Sequence, residues 1–256
     1  MEIGLVLSGG GARGIAHLGV IKALSEKGIY PNKITGTSAG SLVGVMIASG
    51  YEPEAVLDTV IATRFWRLFR PALSRMGVFK IEKALDTYLK LLPNPTFEAL
   101  KIPLVVAATD ILEGNIVYFD KGDVIKPVLA SCCLPGIFEP ILYQNRLLVD
   151  GGVLNNLPVE PIVGECDFLI GVHVNPQGVK QAVKSVKDVL QRSLFLSVNN
   201  HTSQKKTQFD LFIEPPELKD YDVFDVKKAR EIYRIGYKYT KETLALLSNH
   251  LINELR

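Results

Sequence analysis

The chain turns from a short apolar segment into a helical pattern within Ile34-Thr35-Gly36-Thr37-Ser38-Ala39-Gly40-Ser41-Leu42-Val43-Gly44-Val45-Met46-Ile47. One serine, Ser38, stands at the turn between Gly36 and Gly40. These glycines permit strained backbone dihedrals and leave room for another group to approach the hydroxyl. The helix that begins after Ser38 points its N–H groups at the hydroxyl, which favours an alkoxide or a bound anion. The pattern predicts a nucleophile elbow.

A second glycine turn lies upstream, directly after the first predicted strand, residues 3–7. Its sequence, Gly9-Gly10-Gly11-Ala12-Arg13-Gly14, matches the dinucleotide fingerprint G-x-G-x-x-G. A dinucleotide site also needs an acidic residue about 20 positions later to hold the ribose, and the chain has none between Glu26 and Glu52. Two other interpretations remain: a loop that offers bare backbone N–H groups to an oxyanion, or a tight turn with glycines for packing.

A third strand end carries a carboxylate. Asp150-Gly151-Gly152 follows the apolar segment Leu147-Leu148-Val149. An Asp in this position could orient or deprotonate a nucleophile. Asp-Gly is also one of the commonest turn dipeptides, so this motif alone indicates no more than a polar turn.

Together the three motifs resemble those of the patatin-like phospholipases, which carry G-G-G-x-R-G, G-x-S-x-G and D-G-[GA] in this order. The segment Ser131-Cys132-Cys133-Leu134-Pro135-Gly136-Ile137-Phe138 is similar to that family's A-S-x-A-x-P-x-x-F block. Cys133 departs from the family, which usually has a smaller residue there, and this change could narrow the acyl pocket. The motifs cover most of the first 160 residues.

The resemblance implies a hydrolase of phospholipid or lysophospholipid acyl esters that uses a Ser–Asp dyad without a catalytic histidine. Ser38 would attack the acyl carbonyl, and Asp150 would act as general base and later activate water against the acyl-enzyme. The oxyanion hole would be the loop Gly9, Gly10, Gly11, Ala12, Arg13 and Gly14, above all the N–H groups of Gly10 and Gly11. Gly36 and Gly40 would shape the elbow, and Gly151 and Gly152 would support Asp150. Arg13 would hold the glycine loop in place or contact a head group, and the structural role is preferred.

Two further hypotheses compete with the dyad. The first is a His-dependent esterase or thioesterase, because the order Ser38, Asp150, His173 matches that of α/β-hydrolases. That fold builds several strands before its elbow, whereas only one strand precedes Ser38, so the dyad is preferred. The second is a nucleotide- or phosphate-binding module in which Ser38 is a phosphate ligand. The missing acidic residue and the Asp150 motif both speak against it.

Strand-like and helix-like segments alternate along the chain, which predicts an α/β protein with helices on both faces of a mostly parallel sheet. The resemblance implies a three-layer α/β/α arrangement, patatin-like and distinct from the α/β-hydrolase fold. No repeat or low-complexity linker interrupts residues 1–256. A single domain is therefore expected, with the motifs in residues 3–175 and a mainly helical part in residues 180–256.

Composition sets further limits. A formal net charge of +2 gives no electrostatic reason to expect a nucleic-acid partner. No secretory signal or apolar segment of about 20 residues is found, and the three cysteines lack the spacing of a disulfide framework or zinc site. We expect a cytoplasmic protein without a metal or cofactor. The sequence contains no pattern from which an oligomeric state can be read.

One segment has the composition of a lipid-contacting surface. It contains Arg64, Phe65, Trp66, Arg67, Phe69 and Arg70. Aromatic and basic side chains together suit the boundary between water and lipid, which predicts peripheral membrane contact. The alternative is a helix with its rings in the core and its arginines in water. The irregular pattern of residues 63–79 also suits a lid over the site.

Overall fold

A computed structural model describes residues 1–63, 70–71, 76–81, 90–178, 189, 192–193, 196, 202, 204–247, 252 and 254–255. The membrane-contact prediction falls on residues outside this set, apart from the backbone of Arg70. Most of residues 180–205, the first section of the predicted helical part, also lie outside it.

Most strands of the described part join one eight-stranded sheet. Its order is β10-β9-β1-β2-β5-β8-β7, and β6 also pairs with β5. The strands are β1 (Ile3–Leu7), β2 (Lys33–Thr37), β3 (Arg70–Pro71), β4 (Phe79–Lys80), β5 (Leu104–Asp110), β6 (Asn115–Phe119), β7 (Ile141–Tyr143), β8 (Arg146–Asp150), β9 (Phe168–Val172) and β10 (Leu211–Ile213). The pairs β1–β2, β1–β9, β9–β10 and β2–β5 are parallel, whereas β6, β7 and β8 pair antiparallel. β3 and β4 form a separate antiparallel pair.

The helices are α1 (Ala16–Ser25), α2 (Ala39–Ala48), α3 (Pro53–Ala62), α4 (Ile125–Ser131) and α5 (Ala229–Ala245). Two glycines let α1 and α5 cross closely. A Cβ on Gly19 would lie 2.1 Å from the carbonyl oxygen of Tyr233, and one on Gly236 would lie 2.2 Å from that of Ala16. Within the described residues, no helix combines the length and the apolar character needed to cross a membrane.

Both faces of the sheet are apolar. In β1, Leu5 and Leu7 pack into the main core with the helices, whereas Val6 belongs to a second cluster with Leu157 and Ile162. This alternation follows from the two-residue period of a strand. Because both faces are covered, β1 is buried along its whole length.

The path of β5 brings two strand ends together. β2 pairs with residues 104–107 of β5, and β8 pairs antiparallel with residues 108–110. β6 pairs with residues 106–110, so it must occupy the opposite edge. β2 and β8 therefore share one edge and meet end to end, with Thr37 opposite Ala107 and Asp150 opposite Ala108.

The predicted fold class, a mostly parallel sheet with flanking helices, is confirmed. A 3₁₀ turn over Gly11–Ile15 leads from the glycine loop into α1. Asp150 ends a strand that pairs antiparallel with β5, whereas Ser38 follows β2, which pairs with β5 in parallel. The region after residue 180 contributes the strand β10 to the sheet as well as the helix α5.

Candidate active site

Ser38 occupies the strained turn that the sequence predicts. Its φ of 51° and ψ of −122° put a residue with a side chain in a region that usually requires glycine. A Cβ on Gly40 would lie 2.3 Å from the carbonyl oxygen of Leu7, and one on Gly36 would lie 2.7 Å from that of Gly40. The glycines are therefore needed for β1, β2 and α2 to approach each other, and the elbow is formed.

The backbone of the elbow is held by Ser131, the last residue of α4. The N–H of Ser38 donates to Ser131 Oγ at 2.7 Å, and this hydroxyl donates to the carbonyl of Ala107 at 2.7 Å. Ser131 is fully buried. Its hydroxyl thus fixes the strained turn to β5 and commits the Ser38 N–H, which removes that group as an oxyanion donor.

We expect Ser131→Ala to lower the free energy of unfolding by about 1–3 kcal/mol, because a buried donor and a buried acceptor lose their partner. The looser elbow should also lower kcat, by about tenfold if Ser38 is misplaced by a fraction of an ångström. Urea unfolding and ester hydrolysis measure both effects. Ser49→Ala is the matched control, since it removes a hydroxyl that bonds the carbonyl of Val45 at the far end of α2, the helix that follows Ser38. Equal stability and activity of the two variants would contradict the role of Ser131.

Asp150 lies beside Ser38. Its carboxylate accepts the N–H of Gly152 at 2.8 Å, and its own N–H donates to the carbonyl of Cys133 at 2.9 Å. Burial raises the pKa of Asp150 to about 6, although the Ser38 hydroxyl and the Gly152 N–H favour the charged form. The side chain is therefore a stronger base than an exposed Asp and is still charged at neutral pH.

The glycine loop places backbone N–H groups in the cavity that contains Ser38 and Asp150. Gly9 N–H is committed to the carbonyl of Asn156, and Ala12 N–H to that of Val223. Within the described residues, the N–H groups of Gly10 and Gly11 have no acceptor. Gly11 has φ +56°, and a Cβ there would lie 2.4 Å from the carbonyl oxygen of Val223. Of the six loop residues, these two glycines therefore keep the capacity to hold an oxyanion.

Arg13 connects the glycine loop to distant segments of the chain. It is buried, and its Nε donates to the carbonyl of Tyr221 at 2.7 Å. Its Nη1 contacts Asn175 Oδ1 at 3.5 Å, and Asn175 Nδ2 donates to the carbonyl of Gly9 at 2.7 Å. These contacts join the Arg13 guanidinium to Tyr221 and, through Asn175, to the glycine loop.

A cavity of about 250 Å³ joins these groups. Its lining includes Ser38, Asp150 and the glycine loop, and its apolar wall includes Leu134 and Phe138. Such a space suits part of an apolar chain beside a small set of polar groups.

The histidines do not share the position of Asp150 beside Ser38. His173 Nδ1 bonds Glu214 Oε1 at 2.7 Å, and His173 follows β9, which β1 separates from β2. His17 is fully buried with Nε2 at 2.8 Å from the carbonyl oxygen of Ser8, and burial lowers its pKa to about 4. His17 is therefore neutral at physiological pH.

Several residues in the cavity or beside it were not singled out from the sequence. Ser131 and Cys132 were quoted only as part of a motif, yet Ser131 holds the elbow and the Cys132 thiol lies beside Ser38. Cys133, the departure from the family, is fully buried in the core, whereas Cys132 lines the cavity. Asn156 also lines it and holds Gly9 through its carbonyl. Asn156 follows Asp150 by six residues, and this short separation was the one feature of the sequence that could have placed it near the site.

The comparisons with known proteins agree with these motifs. The family model described as patatin-like phospholipase matches residues 5–163. An uncharacterized NTE family protein of Mycobacterium tuberculosis (strain ATCC 25618 / H37Rv) is 38% identical over 177 residues, which is 68% of this chain and 49% of that protein. Lysophospholipase NTE1 of Meyerozyma guilliermondii is 30% identical over 276 residues, covering 94% of this chain and 19% of that protein.

The fold is also similar to a solved structure. VipD from Legionella pneumophila superposes with a TM-score of 0.57 at 14% identity, covering 95% of this chain and 67% of that chain. The chain spans about half the length of the mycobacterial relative. Because the family model matches more than half of the chain, from the first strand to beyond Asp150, the chain belongs to the patatin-like phospholipase family.

Proposed function

We propose that the chain is a serine hydrolase of lipid acyl esters that works through a Ser38–Asp150 dyad. The observation that carries the proposal is a serine on a strained elbow beside a buried carboxylate, in a cavity that also contains the N–H groups of Gly10 and Gly11, for which the described residues supply no acceptor. Nucleophile, base and oxyanion donors are the three parts that acyl transfer requires.

The chemistry follows from these positions. Ser38 Oγ attacks the carbonyl carbon while its proton moves to the Asp150 carboxylate, and the N–H groups of Gly10 and Gly11 hold the oxyanion. Collapse of the tetrahedral intermediate breaks the ester C–O bond, and the departing alcohol takes the proton from Asp150. Water then attacks the acyl-enzyme, giving its proton to Asp150, and releases the fatty acid. The proton finally returns to Ser38.

Phospholipids and lysophospholipids are the proposed substrates. A relative with 30% identity is named a lysophospholipase, and the apolar wall at Leu134 and Phe138 suits an acyl chain. A thioesterase would use the same atoms. A nucleotide- or phosphate-binding module is disfavoured, because the Asp150 carboxylate would repel a phosphate bound at Ser38. A His-dependent esterase is disfavoured because the Ser38 hydroxyl bonds Asp150, whereas His173 follows β9 and does not line the cavity.

A lipid panel tests the proposal. We expect the purified chain to release fatty acid from lysophospholipid, phospholipid or monoacylglycerol, with products identified by mass spectrometry. Calcium and a chelator should leave the rate unchanged, because no step requires a metal. Absence of product from every acyl ester with well-folded protein would contradict the proposal.

A further inference from the structure

One part of the cavity wall is rich in positive charge. Arg13, Arg192 and Lys219 line it, and the one carboxylate that accompanies them there is Asp222. The cations that line this wall outnumber the lining carboxylate, and Asp225 adds a second negative charge near Arg13. Within the described part of the chain, no carboxylate forms an ion pair with Lys219. This charge has no role in the chemistry of Ser38 and Asp150.

The sheet order separates this wall from the apolar one. Lys219 and Asp222 follow β10, and Arg192 is tied to the segment after β9 because its Nη2 donates to the carbonyl of Gly178 at 2.8 Å. Leu134 and Phe138 follow α4, whose last residue bonds β5. β9 and β10 lie on one side of β1 and β2, and β5 lies on the other. The glycine loop and Ser38, at the ends of β1 and β2, therefore lie between the two walls.

The cations are fixed close to each other. Arg13 is held by the carbonyl of Tyr221, and burial is the main reason that its pKa is lowered. The charges of Asp222 and Asp225 oppose this shift, and the neighbouring Arg192 adds to it by charge repulsion. An anion bound between the two guanidinium groups would relieve this repulsion. Guanidinium groups match the oxygens of a phosphate through paired hydrogen bonds.

Building on the proposed function, we propose that Arg13, Arg192 and Lys219 form a phosphate subsite for the leaving group of the substrate. The acyl chain then lies along Leu134 and Phe138, the ester carbonyl sits at Ser38, and the phosphate reaches the cationic wall. The chain consequently prefers phosphate-bearing monoacyl esters to neutral esters with the same acyl group. The phosphate belongs to a glycerophosphate lipid.

The test compares 1-oleoylglycerol with 1-oleoylglycerol 3-phosphate, both below their aggregation concentrations. Arg192→Gln and Lys219→Gln should each lower kcat/KM for the phosphate ester by about tenfold or more, mainly through KM, since each removes a charge-assisted hydrogen bond. Hydrolysis of 1-oleoylglycerol should change less than about threefold. Lys238→Gln is the matched control, because Lys238 is an exposed lysine on α5 outside the cavity.

The outcomes separate the two proposals. If the wild type hydrolyses both esters and the variants lose neither selectively, the phosphate subsite is wrong and the hydrolase proposal stands. If the wild type hydrolyses neither ester, the hydrolase proposal is wrong, and the phosphate subsite, which depends on it, is wrong as well. A selective loss confined to a third substrate, oleoyl-coenzyme A, would assign the phosphate to coenzyme A and overturn the lipid assignment. Should a variant fold poorly, competitive inhibition of wild-type 1-oleoylglycerol hydrolysis by glycerol 3-phosphate provides the independent check; no inhibition would count against the subsite.

Discussion

Replacing Ser38 with alanine is expected to lower kcat for lipid ester hydrolysis by about 10⁴-fold or more, because the covalent route is lost as a whole. The fold should be preserved. The strained φ of 51° is retained by alanine, and the hydrogen bond from the Ser38 N–H to Ser131 involves only the backbone. The loss would therefore be chemical and not structural.

A fluorophosphonate probe makes this result independent of the substrate. It should label the wild type at Ser38, as located by peptide mass spectrometry, and should not label Ser38→Ala. Ser49→Ala, which removes a hydroxyl at the far end of α2, should be labelled like the wild type. Labelling of folded Ser38→Ala at the wild-type rate would show that another residue is the nucleophile.

Replacing Asp150 with asparagine is expected to lower kcat by about 10²–10⁴-fold, the range supplied by a positioned general base. An amide cannot accept the proton of Ser38, although its oxygen can still accept the Gly152 N–H. His173→Ala should keep most of the activity, because His173 does not line the cavity that contains Ser38 and Asp150. Steady-state kinetics on both variants decide between the mechanisms, and the opposite ranking would establish the His-dependent alternative.

The dependence on pH gives Asp150→Asn a second readout. Only the carboxylate can act as base, so wild-type kcat/KM should fall as pH drops below the Asp150 pKa of about 6. Stability should change in the opposite direction. Folding raises the pKa of Asp150 from 3.8 to about 6, so the folded state binds this proton more tightly than the unfolded state does. The free energy of unfolding therefore decreases as pH rises from about 4 to 6.

The size of this stability effect is on the order of 3 kcal/mol, from a shift of about two units at 1.36 kcal/mol each. Asp150→Asn should therefore gain stability over the wild type as pH increases from 4 to 7. His17 titrates in the same range with the opposite sign, because its pKa is lowered to about 4. Its contribution cancels when the two proteins are compared by urea unfolding. A difference that does not change with pH would contradict the buried, raised-pKa carboxyl.

The sequence alone determined the local features, because they depend on neighbouring residues. The glycines around Ser38 require a turn that only residues without a side chain can complete. Three glycines after a buried strand predict a loop with accessible N–H groups. Alternating segments predict the α/β class, and the ordered motifs indicate the family.

Only the tertiary structure decided which of these groups meet. Asp150 reaches Ser38 because β2 and β8 end against each other on one edge of β5, a register that no local pattern encodes. The N–H groups of Gly9 and Ala12 donate to Asn156 and Val223, whereas those of Gly10 and Gly11 have no acceptor among the residues that the structure describes. Arg192 and Lys219 join Arg13 across long sequence separations because β9 and β10 lie beside β1. Hydrogen-bond partners and buried charges depend on packing between distant segments, whereas turns and periodicity depend on adjacent ones.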